Sequence, residues 1–466
     1  MPVNSFEHYP MAWRPDKQLL GTPLYLKLAK RLEQDIQDGT LPAGTQLPPQ
    51  RELADFLDIN LSTVTRAFKL CQQKGLIYAI IGKGTFVSFP QSLPLMSLKK
   101  DETLISLGKS YCDCQADPIL SESFSQALQH SSEIWFSQPD RTQQEERHKT
   151  IAKQWLQKFQ VQTSTQNILL TSGTQNALLI ILLSLFKAGD KIATDTFTYT
   201  NFITLAHQMQ LELIPILSDN QGIIPRDLEK KIRQQGIKGL YLVPTVNNPT
   251  ATSIPLQRRK AISSIIKQYS LLLIEDDAYA FTNSRRLPPF VSLIPEQTLY
   301  IHSLSKSLSP YLRTAYLVAP QGLIAELNTT SQTINAPISA LNLQFTDYLL
   351  TSGKAQAVIR QKKKLIVERN TLYQHFFPNF TSDNPLSLLQ WLPLPPGWDG
   401  YAFEKLAQNH NLEILCAERF LAGGRLNQSA VRLAVLSPKT KQELKRGLII
   451  LKKLISLVDN KHTKPQ

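Results

Sequence analysis

Cysteine is scarce in this chain: Cys71, Cys112, Cys114 and Cys416 are the only four in 466 residues. No spacing among them reads as a disulfide framework, so the fold has to rest on buried apolar surface rather than on crosslinks. Cys112 and Cys114 form a C-x-C pair, but no second ligand pair accompanies it, and no metal is expected. Few cysteines without a framework suit a reducing, cytoplasmic compartment. Long apolar runs are missing as well. The longest, Ala177–Phe186, is about half of the roughly 20 residues a helix needs to cross a bilayer. It reads as a buried helix, and no membrane contact is expected. Met1 to Leu20 mixes Pro2, Pro10, Arg14, Pro15 and Asp16 with no apolar run, so no signal peptide is read there. No internal repeat at solenoid spacing is present.

Acidic residues are the minority: 37 Asp+Glu face 51 Lys+Arg, a net charge of +14. Such an excess favours polyanionic partners, nucleic acid first. Residues 1–90 hold 10 Lys+Arg against 8 Asp+Glu, so +12 of the excess lies in the remainder. Either the large C-terminal part also faces phosphates, or its surface is simply basic. Hydrophobic residues make up 42% and charged ones 19%, which suits well-cored globular domains rather than disorder. The length calls for two or more of them.

Four regions separate along the chain. Residues 1–21 read as a tail, 22–88 as a small domain, 89–105 as a linker broken by Pro90 and Pro94, and 106–466 as a large domain. In the small domain Leu24, Leu28, Leu32 and Ile36 recur at intervals of four and predict a helix over 23–39. A second helix is expected from Gln50 to about Leu57. Asn60 is a good N-cap for a third, Leu61 to about Lys74. Two short helices joined by a tight turn suit helix-turn-helix docking in a major groove. The outward face of the second offers Ser62, Thr63, Thr65 and Arg66 to base edges and phosphates. Leu76–Ile81 and Thr85–Ser88, joined by Gly82-Lys83-Gly84, read as a two-stranded wing with Lys83 at its tip. The stretch PLYLKLAKRLEQDIQDGTLPAGTQLPPQRELADFLDINLSTVTRAF, then GLIYAIIGKGTFV, resembles the GntR family reader. That resemblance implies that Arg51, Thr63 and Arg66 face double-stranded DNA. Leu61 stands where relatives often carry a polar or basic residue.

In residues 106–466 short apolar runs alternate with amphipathic helices: Ile168–Thr171, Leu240–Pro244, Leu271–Glu275, Leu299–His302 and Thr314–Ala319. The alternation predicts a largely parallel sheet covered on both faces, with chemistry at the carboxyl ends of the strands. Polar clusters sit at those ends. Ser303-Leu304-Ser305-Lys306, with Arg313 seven residues after the lysine, suits a Schiff-base lysine beside a phosphate held by Ser303, Ser305 and Arg313. Alone, this segment reads rather as a surface lysine in a Ser-rich turn. Asp276 ends another apolar run, where a pyridinium nitrogen would need a carboxylate. Tyr279 lies three residues on, within reach of a ring 3-oxygen. Ser172-Gly173-Thr174 opens an apolar helix whose free N–H groups and dipole favour an anion. Tyr199 could stack on a ring, and Asn248, in a Pro-rich turn, could donate to its 3-oxygen. Arg432 sits inside an apolar run, where a lone cation is costly. It awaits either a ligand carboxylate or an internal partner.

In their order these segments resemble fold-type I aminotransferases: S-G-x-Q, the aromatic segment, N-P-T, D-x-x-Y, S-x-S-K with its arginine, and the late arginine. Joined to a GntR-like reader, the chain resembles the MocR subfamily of regulators. The resemblance implies an α/β fold with a smaller C-terminal α+β subdomain, pyridoxal 5'-phosphate as cofactor, and a homodimer. It further implies DNA binding controlled by an amine, an amino acid or the cofactor itself. A working aminotransferase with an accessory reader is the alternative. Ala251 replaces the glycine usual after N-P-T, and residues 108–120 match the family's early loop poorly.

Overall fold

A computed structural model of the chain describes residues 11–17, 21–42, 44–80, 84–88, 104–110, 118–129, 141–334, 337–423, 425–426 and 428–462. Lys83, most of the expected linker (89–103), Cys112 and Cys114 lie outside these. Among the described residues no helix is long and apolar enough to cross a membrane, and no cluster of His, Cys, Asp and Glu could hold a metal ion.

The small domain is a three-helix core with a wing. Helices Leu24–Gln37, Gln50–Leu57 and Leu61–Gln73 bury Leu28, Leu32, Leu53, Leu57, Val64, Phe68 and Cys71 against one another. The third helix starts where expected because Asn60 stays extended and its side-chain oxygen accepts the Ser62 amide at 2.8 Å. Trp13, in the stretch read as a tail, is buried in this core. Its indole donates to Asp35 at 2.8 Å, and Arg31 pairs with the same carboxylate at 2.9 Å. The reader's packing therefore begins upstream of residue 22. A single tryptophan among prolines carries no periodicity that would have revealed this. Wing strands Ile77–Ile80 and Gly84–Val87 pair antiparallel. A third strand, Gln46–Leu47, extends the sheet on one side. On the other side a strand of the large domain, Arg425–Leu426, pairs parallel with Ile77–Ile80.

The large domain is built on a seven-stranded sheet. Ile168–Thr171, Lys191–Asp195, Glu212–Ile216, Gly239–Leu242, Leu272–Asp276 and Thr298–Ser303 run one way, and Ala315–Val318 runs against them between the first and the last. The sheet is thus largely parallel, as the alternation implied, with one reversed strand that the apolar run 314–319 could not have signalled. Its strands are buried on both faces: Leu240, Tyr241, Leu242, Leu273, Ile274, Leu299, Tyr300 and Ile301 are essentially inaccessible. A second, antiparallel sheet of Leu389–Pro393, Ala430–Ala434 and Leu415–Cys416 forms a smaller α+β unit with helices Lys354–Phe376, Gly400–Gln408 and Lys441–His462. Ile105–Ser106 joins this unit by pairing with Leu412–Glu413, which carries the residues after it to the mouth of the large sheet.

Candidate functional site

Parallel strands put their carboxyl ends side by side, and the polar groups of five of them meet there. Strand Leu272–Asp276 delivers Asp276, buried, with Oδ2 accepting from the Tyr241 hydroxyl at 2.9 Å and Oδ1 from the Ala278 amide at 3.3 Å. Burial pushes its carboxyl up to about 6, against the pull of these donors and of the Lys306 charge. The next strand, Thr298–Ser303, runs into a one-turn helix, Leu304–Ser307, capped by Ser303 through the Ser305 amide at 3.3 Å. Lys306 lies on that turn, and its Nζ donates to Ser110 Oγ at 2.8 Å. Desolvation pulls the ammonium down to about 8, and Arg432, Lys362 and Arg313 reinforce this while Asp276 opposes it. Lys362, from helix Lys354–Phe376, ties the turn down through the carbonyls of Lys306 and Leu308 at 3.1 and 2.9 Å.

The anion cradle forms at the end of strand Ile168–Thr171. Gly173 has φ +93°, which strains any side chain, and a Cβ there would sit 3.6 Å from the Arg313 guanidinium carbon. Arg313 itself holds φ +47°, a conformation costly for a residue with a side chain. Helix Thr174–Leu185 starts at this point. Ser172 donates its amide to Asn176 Oδ1 at 3.0 Å, so that amide is already engaged.

Tyr199 precedes helix Thr200–Gln208, and its hydroxyl accepts from Asn201 Nδ2 at 3.0 Å. Burial pushes its phenol upward, as do Asp276 and Tyr279, while Arg313 pulls it back. Tyr279 is buried and pushed up to about 12, chiefly by desolvation, with Arg432 opposing and a hydrogen bond from Ser110. Asn248 is buried, and its Oδ1 accepts from Arg432 Nη1 at 3.1 Å. Arg432 Nη2 donates to the Gly108 carbonyl, and the guanidinium lies 5.1 Å over the Phe420 ring. Its buried Nε has no hydrogen-bond partner, and no carboxylate pairs with it among the described residues. Lys306, Asp276, Tyr279, Tyr199, Asn248, Arg313, Gly173 and Arg432 thus share one cluster. An amine held near neutrality, a buried carboxylate, an arginine against a glycine with positive φ, and a second, under-bonded arginine fit an aldehyde-bearing pyridine phosphate with a carboxylate beside it.

Two groups of this cluster escaped sequence reasoning. Ser110 joins Lys306 and Tyr279, and it lies in a stretch with no helix or strand pattern. Tyr241, stacked 3.7 Å from Phe202 at 12°, reads from sequence as an ordinary core residue. Glu275 and Asp277, flanking Asp276, face the other way. Glu275 accepts the amides of Phe290 and Val291, each at 2.9 Å. It also sits 4.0 Å from buried Arg259, which binds the carbonyls of Pro244, Ile254 and Pro288. That arginine holds the turn bearing Asn248 in place. Within the turn, Ala251 occupies φ +60°, which explains why glycine is usual there.

In the reader, Arg51, Ser62, Thr65 and Arg66 are exposed and Thr63 half-buried. Thr65 donates to Gln50 at 2.9 Å, tying the two helix-turn-helix helices together. Arg66 lies 4.0 Å over the Tyr25 ring.

Residues 103–449 match the aminotransferase class I and II family, and residues 24–87 match the gntR family of bacterial regulatory proteins. An uncharacterised HTH-type transcriptional regulator of Bacillus subtilis, YdeF, is 37% identical over 98% of this chain and 99% of its own length. The chain belongs to the GntR-type regulators that carry an aminotransferase class I and II domain, the MocR subfamily. Within that subfamily a further relative is the vitamin B6 salvage pathway transcriptional repressor PtsJ of Salmonella typhimurium. It is 26% identical over 82% of this chain and 92% of its own length. An archaeal alanine:glyoxylate aminotransferase superposes with a TM-score of 0.69 at 23% identity, covering 76% of this chain and 91% of its own. LysN, the α-aminoadipate aminotransferase of Thermus thermophilus, gives 0.67 at 21%, covering 77% and 94%. These structures are similar in fold to the large domain of this subfamily member.

Proposed function

We propose that this chain is a DNA-binding transcription regulator that holds pyridoxal 5'-phosphate on Lys306 and reports on amines through it. The observation that carries the reading is the Lys306 amine, drawn down to about 8 by burial among Arg432, Lys362 and Arg313 with Asp276 close by. When bound, the cofactor supplies an aldehyde that captures primary amines and a ring that withdraws electrons. The residues around it divide the work. Asp276 would keep the ring nitrogen protonated, and the Tyr241 hydroxyl orients that carboxylate. Tyr199 would stack on the ring, and Asn248 and Tyr279 would hold its 3-oxygen. Gly173 and Thr174, with Ser172, Ser303, Ser305 and Arg313, would hold the phosphate at the start of the Thr174 helix. Arg432, whose Nε is unbonded, takes a carboxylate. The free Lys306 amine is held by Ser110, to whose Oγ it donates at 2.8 Å.

Residues 22–88, with Trp13 packed on their core, are the reader, the stretch from 89 up to the strand Ile105–Ser106 is a linker, and the rest to 466 is the effector domain, in a cytoplasmic homodimer. Arg51, Ser62, Thr63, Thr65, Arg66 and Lys83 contact DNA, and an amine or amino acid is the small-molecule partner. A second reading, a working aminotransferase, is favoured by the same amine and carboxylate: the amine is a base suited to proton transfer, and the carboxylate a partner for a ring nitrogen. Release of keto acid in a single turnover with a panel of amino acids supports that second reading.

The test is borohydride reduction of the cofactor-treated chain, peptide mapping, and operator binding with and without cofactor. Label on Lys306, its loss in Lys306→Ala, and a cofactor-dependent change in operator affinity are expected. An unlabelled Lys306, or affinity indifferent to cofactor and amines alike, overturns the reading.

A further inference from the structure

The outer edge of the wing is occupied. Strand Ile77–Ile80 pairs in parallel with Arg425–Leu426 of the large domain, Ala79 opposite Arg425 and Ile80 opposite Leu426. An open strand edge is a ready template for another strand, and here the large domain supplies one. Side chains alternate along a strand, so the wing strand looks two ways. Ile77 packs into the reader core. Tyr78 turns to the large domain, 6% exposed, among Tyr401, Cys416 and Leu421 with Phe86 and Phe197 packed against them. Its ring lies 5.7 Å from that of Tyr401, and its hydroxyl contacts Asp399 Oδ2 at 3.4 Å.

The segment that receives the wing also floors the candidate site. Arg432 lies over Phe420. The Phe420 carbonyl accepts from the Thr198 amide at 2.9 Å. Leu421 bridges Phe197, and the Ala422 amide donates to Thr196 at 2.9 Å. These contacts fasten 420–422 to the loop that presents Tyr199. The segment is anchored behind as well. Arg419 grips Glu404 at 2.6 Å, and the buried Glu418 carboxylate accepts from the Gly400 amide at 3.0 Å and Ser429 Oγ at 2.9 Å. The segment that floors the site is thus fastened on both sides, just before the wing's partner strand begins its pairing at Arg425.

We propose that residues 418–423 and 425–426 form a docking seat for the wing, and that the seat couples the Arg432–Tyr199 end of the candidate site to the wing. The coupling bypasses the linker. Ordering Tyr199 and Phe420 holds strand 425–426 in register and keeps the wing docked; loosening them releases it. The proposal rests on the cofactor reading for what fills the site, whereas the contact path stands on its own. By linkage the coupling is reciprocal, so each end must respond to the other.

Amide hydrogen exchange in the full chain tests it, because exchange reports local opening. Adding pyridoxal 5'-phosphate is expected to slow exchange in 77–80 about fivefold or more, the lower range of measured couplings. Without cofactor, Arg432→Ala is expected to speed it by a similar factor. From the other end, Tyr78→Ala is expected to weaken cofactor binding about fivefold. Tyr78→Phe, which keeps the ring and loses the Asp399 contact, is expected to fall between. Wing amides that exchange at one rate with and without bound cofactor, and equally in wild type and Arg432→Ala, overturn the coupling. A chain that never acquires the visible band of a lysine-bound cofactor defeats the cofactor reading instead. In that case the Arg432→Ala comparison alone decides the coupling.

Discussion

At the scale of single residues, the decisive feature is an amine surrounded by positive charge. Burial disfavours the ammonium, and three nearby cations disfavour it further, so the Lys306 charge is lost near pH 8 rather than near 10.5. Only the neutral amine attacks an aldehyde. Covalent capture of pyridoxal 5'-phosphate by the cofactor-free chain is therefore expected to accelerate as pH rises through about 8 and to level off above it. Stopped-flow measurement of the visible band across pH checks this; a rate still climbing toward pH 10.5 would mean an unperturbed lysine. The candidate roles of Lys306, Asp276 and Tyr279 were legible in the sequence because each sits at a fixed offset from an apolar strand. Ser110 and Tyr241 were not. Their part depends on chain segments far apart in sequence, 196 residues in the bond from Lys306 to Ser110.

At the scale of elements, helix starts and strand ends were the most readable features, because their signals are local. Asn60 is an example: an extended residue with a short acceptor just before a helical pattern. Asn60→Ala removes the acceptor for the Ser62 amide and is expected to cost the reader about 1 kcal/mol. This would appear as a lower urea midpoint at unchanged slope; an unchanged midpoint would show the cap to be redundant. The reversed strand Ala315–Val318 illustrates the opposite case. An apolar run states that a strand is buried but is silent on its direction, which is set by pairing with Ile168–Thr171 and Thr298–Ser303 on either side. The strand Arg425–Leu426 is a sharper case still. At two residues it has no period, and it exists only because a wing edge lies beside it.

At the scale of the whole molecule, charge is unevenly shared: +12 of the net +14 lies beyond residue 90. The ten Lys+Arg of residues 1–90 bound the number of phosphates the reader alone neutralises, whatever its small net charge. Each phosphate contact adds about 0.9 to the slope of log affinity against log salt. Arg51→Ala is expected to weaken operator binding and flatten that slope by about 1. The slope left in the full chain then counts the contacts made by other cations. A slope unaltered by Arg51→Ala removes that residue from the interface.

By itself the sequence determined the two-part organisation, the near-parallel sheet and the candidate lysine, carboxylate and arginines. All of these follow from periodicity, turn chemistry and short offsets along the chain. The tertiary structure alone decided that Arg432 holds Asn248 and the Gly108 carbonyl, that Ser110 meets Lys306, and that the wing rests on the segment flooring the site. The reason is physical: hydrophobic patterning says which face of an element is buried, but not which distant element covers it. That choice is made by packing and by the pairing of backbone edges.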